Sequence, residues 1–263
     1  MTDILCPTDF TAAADAALAH ATDIAARTGG SITLLHVLEK HHRTGDPLAT
    51  ASALMDQSAR DAMQRVTVNE VFREGDPLKQ IIAESKRDHA LMVAGTHGAH
   101  GLRQSLLGAD ILKLVRHVAT TSLVVQQHSP PRPIRCIVMP VAGHSDISNL
   151  LGGVCFLAKL YQAEVVVYQL MRPGEQPSDR LLENKRIMLE RLAKEGITHR
   201  EVAQPSTVFS VGFAEQTIRY ADDLKAGCIA IMAKASDDYR WIADAEKERL
   251  LTNAPGIPVL CAL

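Results

Sequence analysis

The chain has 263 residues, of which 46% are hydrophobic, and 28 Lys and Arg face 30 Asp and Glu for a net charge of -2. That composition is ample for one large or two ordinary cores and excludes a disordered chain. Balanced charge, with only 4% aromatic residues, leaves no basic face for a polyanion and no stacking platform for bases, so no nucleic-acid partner is expected.

In chain order, short apolar runs alternate with longer helical patterns. Strands are predicted near 3–7, 31–38, 66–72, 90–95 and 121–126. Between them a helix over 12–28 stops at Gly29 and Gly30, a helix near 48–65 carries Ala51, Met55, Ala59 and Ala62 on one face, and a third starts at Asp76-Pro77, a suitable N-cap and N1 pair. A fourth helix is predicted to begin at about Gly108. Runs such as LMVA and SLVV are apolar throughout, as a parallel sheet covered on both faces requires.

The pattern then repeats. ILCP (4–7) and IVMP (137–140) lie 133 residues apart, and so do ITLLHV (32–37) and VVVYQL (165–170). ALMVA (90–94) is matched to IAIMA (229–233) at an offset of 139, and SLVVQQ (122–127) to PVLCAL (258–263) at 136. The reading is two homologous α/β domains, 1–128 and 134–263, joined by a proline-rich linker at 129–133. Each reads as a doubly wound five-stranded parallel sheet with helices on both faces. The helical segment 149–161 is apolar almost all round and is read as buried.

Five dispersed cysteines without a C-x-x-C read as small core residues in a reducing compartment. The chain enters its first strand at residue 3 and has no apolar run near the length of a membrane span, so a cytoplasmic protein without a membrane partner is expected. His41-His42 lie in a polar segment without a thiolate or a spaced carboxylate pair, and no metal is assigned there. There is no G-x-S-x-G elbow, and no catalytic residue is assigned.

The stretch GTHGAHGLRQSLLGAD (95–110) follows the fourth strand. It fits neither the P-loop nor the dinucleotide fingerprint, and by physics alone its glycines serve a phosphate or a turn equally well. The spacing of Gly95, Gly98 and Gly108 resembles the glycine signature of the universal stress protein family. ILCPTDF (4–10), LLHV (34–37) and EGDPLKQII (74–82) resemble other parts of that family in register. The resemblance covers the first domain and, more faintly, the second, and implies for each a Rossmann-like α/β sheet of order 3-2-1-4-5.

It implies that Pro7, Thr8, Asp9 and Val37 surround a nucleoside and that Ala94, Gly95, Gly98, Gly108 and Ala109 surround phosphates, with His97 in the same loop as a source of positive charge. The implied ligand is ATP or another adenine nucleotide, with Mg as its companion ion and no other cofactor. Ala109 stands where the family has Ser or Thr, and Asp110 follows it, placing a carboxylate where it would repel phosphate. For Asp9, an N-cap of helix 12–28 is the competing role, one that Thr11 could also fill. In the second domain Ala142 and Leu170 replace Asp9 and Val37, and Gly95 falls opposite Lys234, so that copy reads as degenerate.

Three function classes remain open on sequence: a stress-response binding module with little turnover, a nucleotide-independent interaction scaffold, and a slow ATPase or nucleotidyl transferase. Pairing of the two domains within the chain, through strands 121–126 and 257–262, and homodimerisation are expected.

Overall fold

The computed structural model describes residues 2–38, 47–97, 111–171, 174, 176–206, 212–234 and 243–263. The chain divides into two compact units, Met1–Pro131 and Arg132–Leu263.

The N-terminal unit runs β1 (Asp3–Thr8), α1 (Ala12–Thr28), β2 (Ser31–Leu38), α2 (Pro47–Met63), β3 (Thr67–Glu74), α3 (Pro77–Glu84), β4 (Leu91–Thr96), α4 (Ile111–Val115) and β5 (Ser122–Gln126). Its strands lie in the order β3-β2-β1-β4-β5, all pairs parallel. The local signals explain the elements. Thr11 caps α1 by accepting from Ala14 N, and Gly29 closes the helix at φ 61. Asp76 caps α3 through Lys79 N, with Pro77 in the first turn. Ile4, Leu5, Cys6, Leu34, Met55, Leu91 and Leu123 are fully enclosed, the continuous apolar filling expected of a sheet covered on both faces.

The direction of chain crossing reverses at β1. α1 leads from β1 to β2, α3 leads back from β3 to β4, and right-handed crossovers put these two helices on opposite faces. β1 pairs with β2 over six residues but with β4 only at Ile4↔Leu91 and Leu5↔Met92. Beyond Leu5 the two strands part, so a crevice opens at their carboxyl ends, the usual ligand position in such sheets.

The C-terminal unit repeats the plan with β6 (Cys136–Pro140), α5 (Ser148–Tyr161), β7 (Glu164–Met171), α6 (Asp179–Lys194), β8 (His199–Pro205), α7 (Phe213–Asp223), β9 (Cys228–Met232), α8 (Ala243–Leu251) and β10 (Val259–Ala262). The strand order β8-β7-β6-β9-β10 is the same, again all parallel. α5 buries Leu150, Leu151, Val154, Cys155, Leu157 and Ala158.

Pairing register corrects the later part of the repeat. Pro7 pairs with Leu35 and Pro140 with Tyr168, which keeps the offset of 133. Ile4 pairs with Leu91 and Ile137 with Cys228, so β9 follows β4 at 228 - 91 = 137 rather than 139. Met92 pairs with Ser122 and Ile229 with Val259, which gives 259 - 122 = 137 for the last strands rather than 136. The counterpart of Gly95 is therefore Met232, not Lys234. Runs of similar apolar residues can slide by a residue or two in a sequence match, whereas hydrogen-bonded register cannot.

All five cysteines are free, and every one but Cys136 is buried. Burial pushes the Cys6 and Cys228 thiols up to about 12, the setting of inert core residues.

Two titrating groups give the N-terminal unit an acid sensitivity. His20 in α1 is buried with its Nε2 2.9 Å from the Ser129 carbonyl, and burial holds its pKa below the ordinary 6.5, although Ser129 and Asp23 partly offset this. At the start of β1, burial pushes the Asp3 carboxyl up, but bonds from His89, Ser31 and Thr33 outweigh it and leave the pKa below 3.8. Both folded values lie below the unfolded ones, so both contributions are complete above the unfolded pKa and fade as pH falls through the folded one. Urea midpoints are expected to decline in two windows, first below 6.5 for His20 and then below 3.8 for Asp3. In His20→Gln the first decline disappears; an unchanged slope in that window would rule His20 out as its source.

Candidate functional site

The turn that leaves β1 is built from its own side chains. Thr8 Oγ1 accepts from Phe10 N at 3.1 Å. Asp9 Oδ1 accepts from Thr11 N at 3.2 Å and from Thr11 Oγ1 at 2.6 Å. Thr11 Oγ1 in turn takes Ala14 N at 3.4 Å. Thr11 is thus the helix cap and Asp9 holds the cap in place. Asp9 Oδ2 makes no hydrogen bond among the described residues.

Phe10 sits at φ 60, a left-handed conformation that costs a non-glycine residue about 1–2 kcal/mol. Its ring lies 4.3 Å from that of His36, which meets Phe72 edge-on at 6.3 Å. A hydrogen bond of 2.9 Å between His36 Nδ1 and the Thr8 carbonyl ties β2 to the same turn. Side chains alternate along β2, so this aromatic row lies on one face of the sheet and Leu35 and Val37 on the other.

On that other face a shallow cleft, partly open to solvent, is lined by Pro7, Thr8, Asp9, Leu35, Val37, Pro77 and Ile81. It brings together Pro7, Thr8, Asp9 and Val37, the four residues assigned to a nucleoside from sequence. Leu35, Pro77 and Ile81 were not assigned, although the period of two from Val37 points to Leu35 and the i, i+4 spacing on α3 joins Pro77 to Ile81.

Of the residues assigned to phosphate, Ala94 and Gly95 lie inside β4 with no exposed side-chain surface assigned to either, both being buried. A Cβ on Gly95 would fall 2.1 Å from the Ala13 carbonyl oxygen and 2.4 Å from its carbon. This glycine lets β4 approach the first turn of α1. His97 is half-buried, with Nδ1 3.3 Å from Gln127 Oε1. Gly98, Gly108, Ala109 and Asp110 lie outside the described residues, as do His41 and His42 and the predicted start of the fourth helix at Gly108. Among the described residues, no group of three or more His, Cys, Asp or Glu could hold a metal ion, and no helix is long and apolar enough to cross a membrane.

In the C-terminal unit the corresponding place is built differently. Ala142 stands for Asp9, and its carbonyl accepts from Asn184 Nδ2 at 2.7 Å, with His144 O at 2.9 Å on the same amide. Tyr168 stands for Leu35; it is fully buried, and its ring stacks on Tyr220 of α7 at 4.5 Å. The two rings meet between strand and helix at the strand position where the first unit has Leu35. At the end of β9, Lys247 Nζ donates to the carbonyls of Met232, at 2.7 Å, and Lys234.

Residues 1–126 match the model of the Universal stress protein family. The N-terminal unit belongs to the universal stress protein family. A universal stress protein from Archaeoglobus fulgidus DSM 4304 superposes along the whole chain, with TM-score 0.76 and 16% identity over 99% of this chain and 97% of that one. A functionally unknown protein from Pseudomonas aeruginosa PAO1 gives TM-score 0.61 and 18% identity over 100% of this chain and 92% of that one. At these identities the likeness concerns the fold, which both units share with the universal stress protein from Archaeoglobus. No curated protein matches the chain significantly.

Proposed function

We propose that the chain is a stress-response binding module whose N-terminal universal stress protein domain holds ATP or another adenine nucleotide with little turnover. The observation that carries this reading is the meeting of Pro7, Thr8, Asp9 and Val37 in one cleft at the carboxyl ends of β1 and β2. An apolar slot suits a base, and a carboxylate at its rim accepts hydrogen bonds from ribose hydroxyls or an exocyclic amine. The crevice between β1 and β4 supports the same placement. A ligand held with little turnover acts as an occupancy signal.

Mass spectrometry of small molecules released from the purified chain is expected to find an adenine nucleotide. Added ATP is expected to raise the melting temperature, since a ligand at a hundred times its Kd adds about 2.7 kcal/mol to the native state. No released nucleotide together with no shift at millimolar ATP would remove the reading.

A further inference from the structure

We infer that His36 is a positioning residue for the cleft, holding the turn that carries Thr8 and Asp9 from the opposite face of the sheet. The inference rests on the binding reading above and adds to it a residue outside the cleft lining. His36 lies between Leu35 and Val37 on β2, and side chains alternate along a strand, so both neighbours line the cleft while the imidazole faces away from it. From there its Nδ1 lies 2.9 Å from the Thr8 carbonyl oxygen. A carbonyl only accepts, so Nδ1 carries the proton and His36 is the donor. That carbonyl belongs to the planar peptide whose nitrogen is Asp9 N. Fixing the plane fixes the direction in which the Asp9 carboxylate leaves the chain.

The turn needs such a hold. Phe10 keeps its φ of 60, and an unfavourable backbone conformation persists only where its surroundings over-determine it. His36 supplies the bond to Thr8 on one side of the strained residue and also the ring that meets Phe10 at 4.3 Å and an interplanar angle of 30°. Phe72 of β3 backs the imidazole edge-on at 6.3 Å. The bond from Phe10 N to Thr8 Oγ1 completes the set. The other unit uses the matching positions differently. By the offset of 133, Gln169 stands for His36 and Ala142 for Asp9. Gln169 Oε1 accepts from Lys185 Nζ at 2.9 Å, and the loop after β6 is held by Asn184 of α6. A hold from the second strand thus accompanies the copy that carries the carboxylate.

Two variants of the full chain separate the donor from the ring. His36→Phe keeps a ring between Phe10 and Phe72 and has no donor, whereas His36→Asn carries an N-H donor on the same Cγ and has no ring. In calorimetric titration with ATP, the Kd is expected to be about tenfold weaker in His36→Phe and within about threefold of the wild type in His36→Asn, a loss the size of one hydrogen bond that the second variant restores. Amide exchange at Phe10 and Thr11, read by NMR without ligand, is expected to quicken in His36→Phe alone. Unchanged ATP affinity in His36→Phe overturns the inference and leaves the nucleotide reading standing, and so does equal weakening in both variants. If the wild type binds neither ATP nor AMP, the nucleotide reading falls and the exchange rates decide: equal rates in wild type and His36→Phe overturn the hold on the turn as well. A melting transition lost from His36→Phe would make the residue a packing element and overturns the inference too.

Discussion

Replacing Gly95 by alanine is expected to destabilise the N-terminal unit by about 3 kcal/mol, seen as a lower urea midpoint in the absence of any ligand. The added Cβ would sit 2.1 Å from the Ala13 carbonyl oxygen and 3.0 Å from Ala14 N, and neither atom belongs to a side chain that can swing away. Relief requires α1 to move off β4. α1 also packs on β1 and β5, and its Ala13, Ala14, Ala17 and Ala21 are all buried, so the displacement spreads through the unit. If Gly95 served only a ligand, the variant would keep its urea midpoint and lose affinity alone. The two outcomes separate packing from binding at a residue whose spacing suggested binding.

The second large effect is expected in the other unit. Tyr168→Ala removes a fully buried ring stacked at 4.5 Å on Tyr220, and large-to-small changes of this kind cost about 3–5 kcal/mol. Tyr168→Phe keeps the ring and loses the 3.2 Å bond from the Tyr168 hydroxyl to Gln204 Oε1, an expected loss of about 0.5–1.5 kcal/mol. Calorimetric unfolding of both variants checks the difference. Equal shifts for the two would show that the hydroxyl, and not the filling of space, is what the position supplies.

The elements were legible because their local signals agree with the fold: Thr11, Gly29, Asp76 and Pro77 all act at the helix ends where their chemistry puts them. The parallel sheet followed from alternating apolar runs and helices, and its strand order from the family resemblance. The exact match between the two copies was not legible beyond β7, since IAIM and CIAI satisfy an apolar pattern equally and only the register of β6 with β9 chooses between them.

At the site, Asp9 and Val37 were found through the family resemblance, and Leu35 and Ile81 were missed because ordinary core residues carry no sign of what they face. Of the two roles weighed for Asp9, the structure shows the one at the cap: Oδ1 supports Thr11, and Oδ2 has no partner among the described residues. Gly95 was ambiguous for a physical reason. A glycine needed for close approach and one needed for a ligand look alike until the neighbouring carbonyl is seen.

A hollow in a protein is a standing cost, because its walls forgo the dispersion contacts that denser packing would give them. In a chain with a single copy of this fold, that cost is inseparable from binding. Here Tyr168 stacks on Tyr220 in one copy, while at the same strand position Leu35 lines a cleft open to solvent in the other. With two copies in one chain, the same strand position serves packing in one and an open surface in the other.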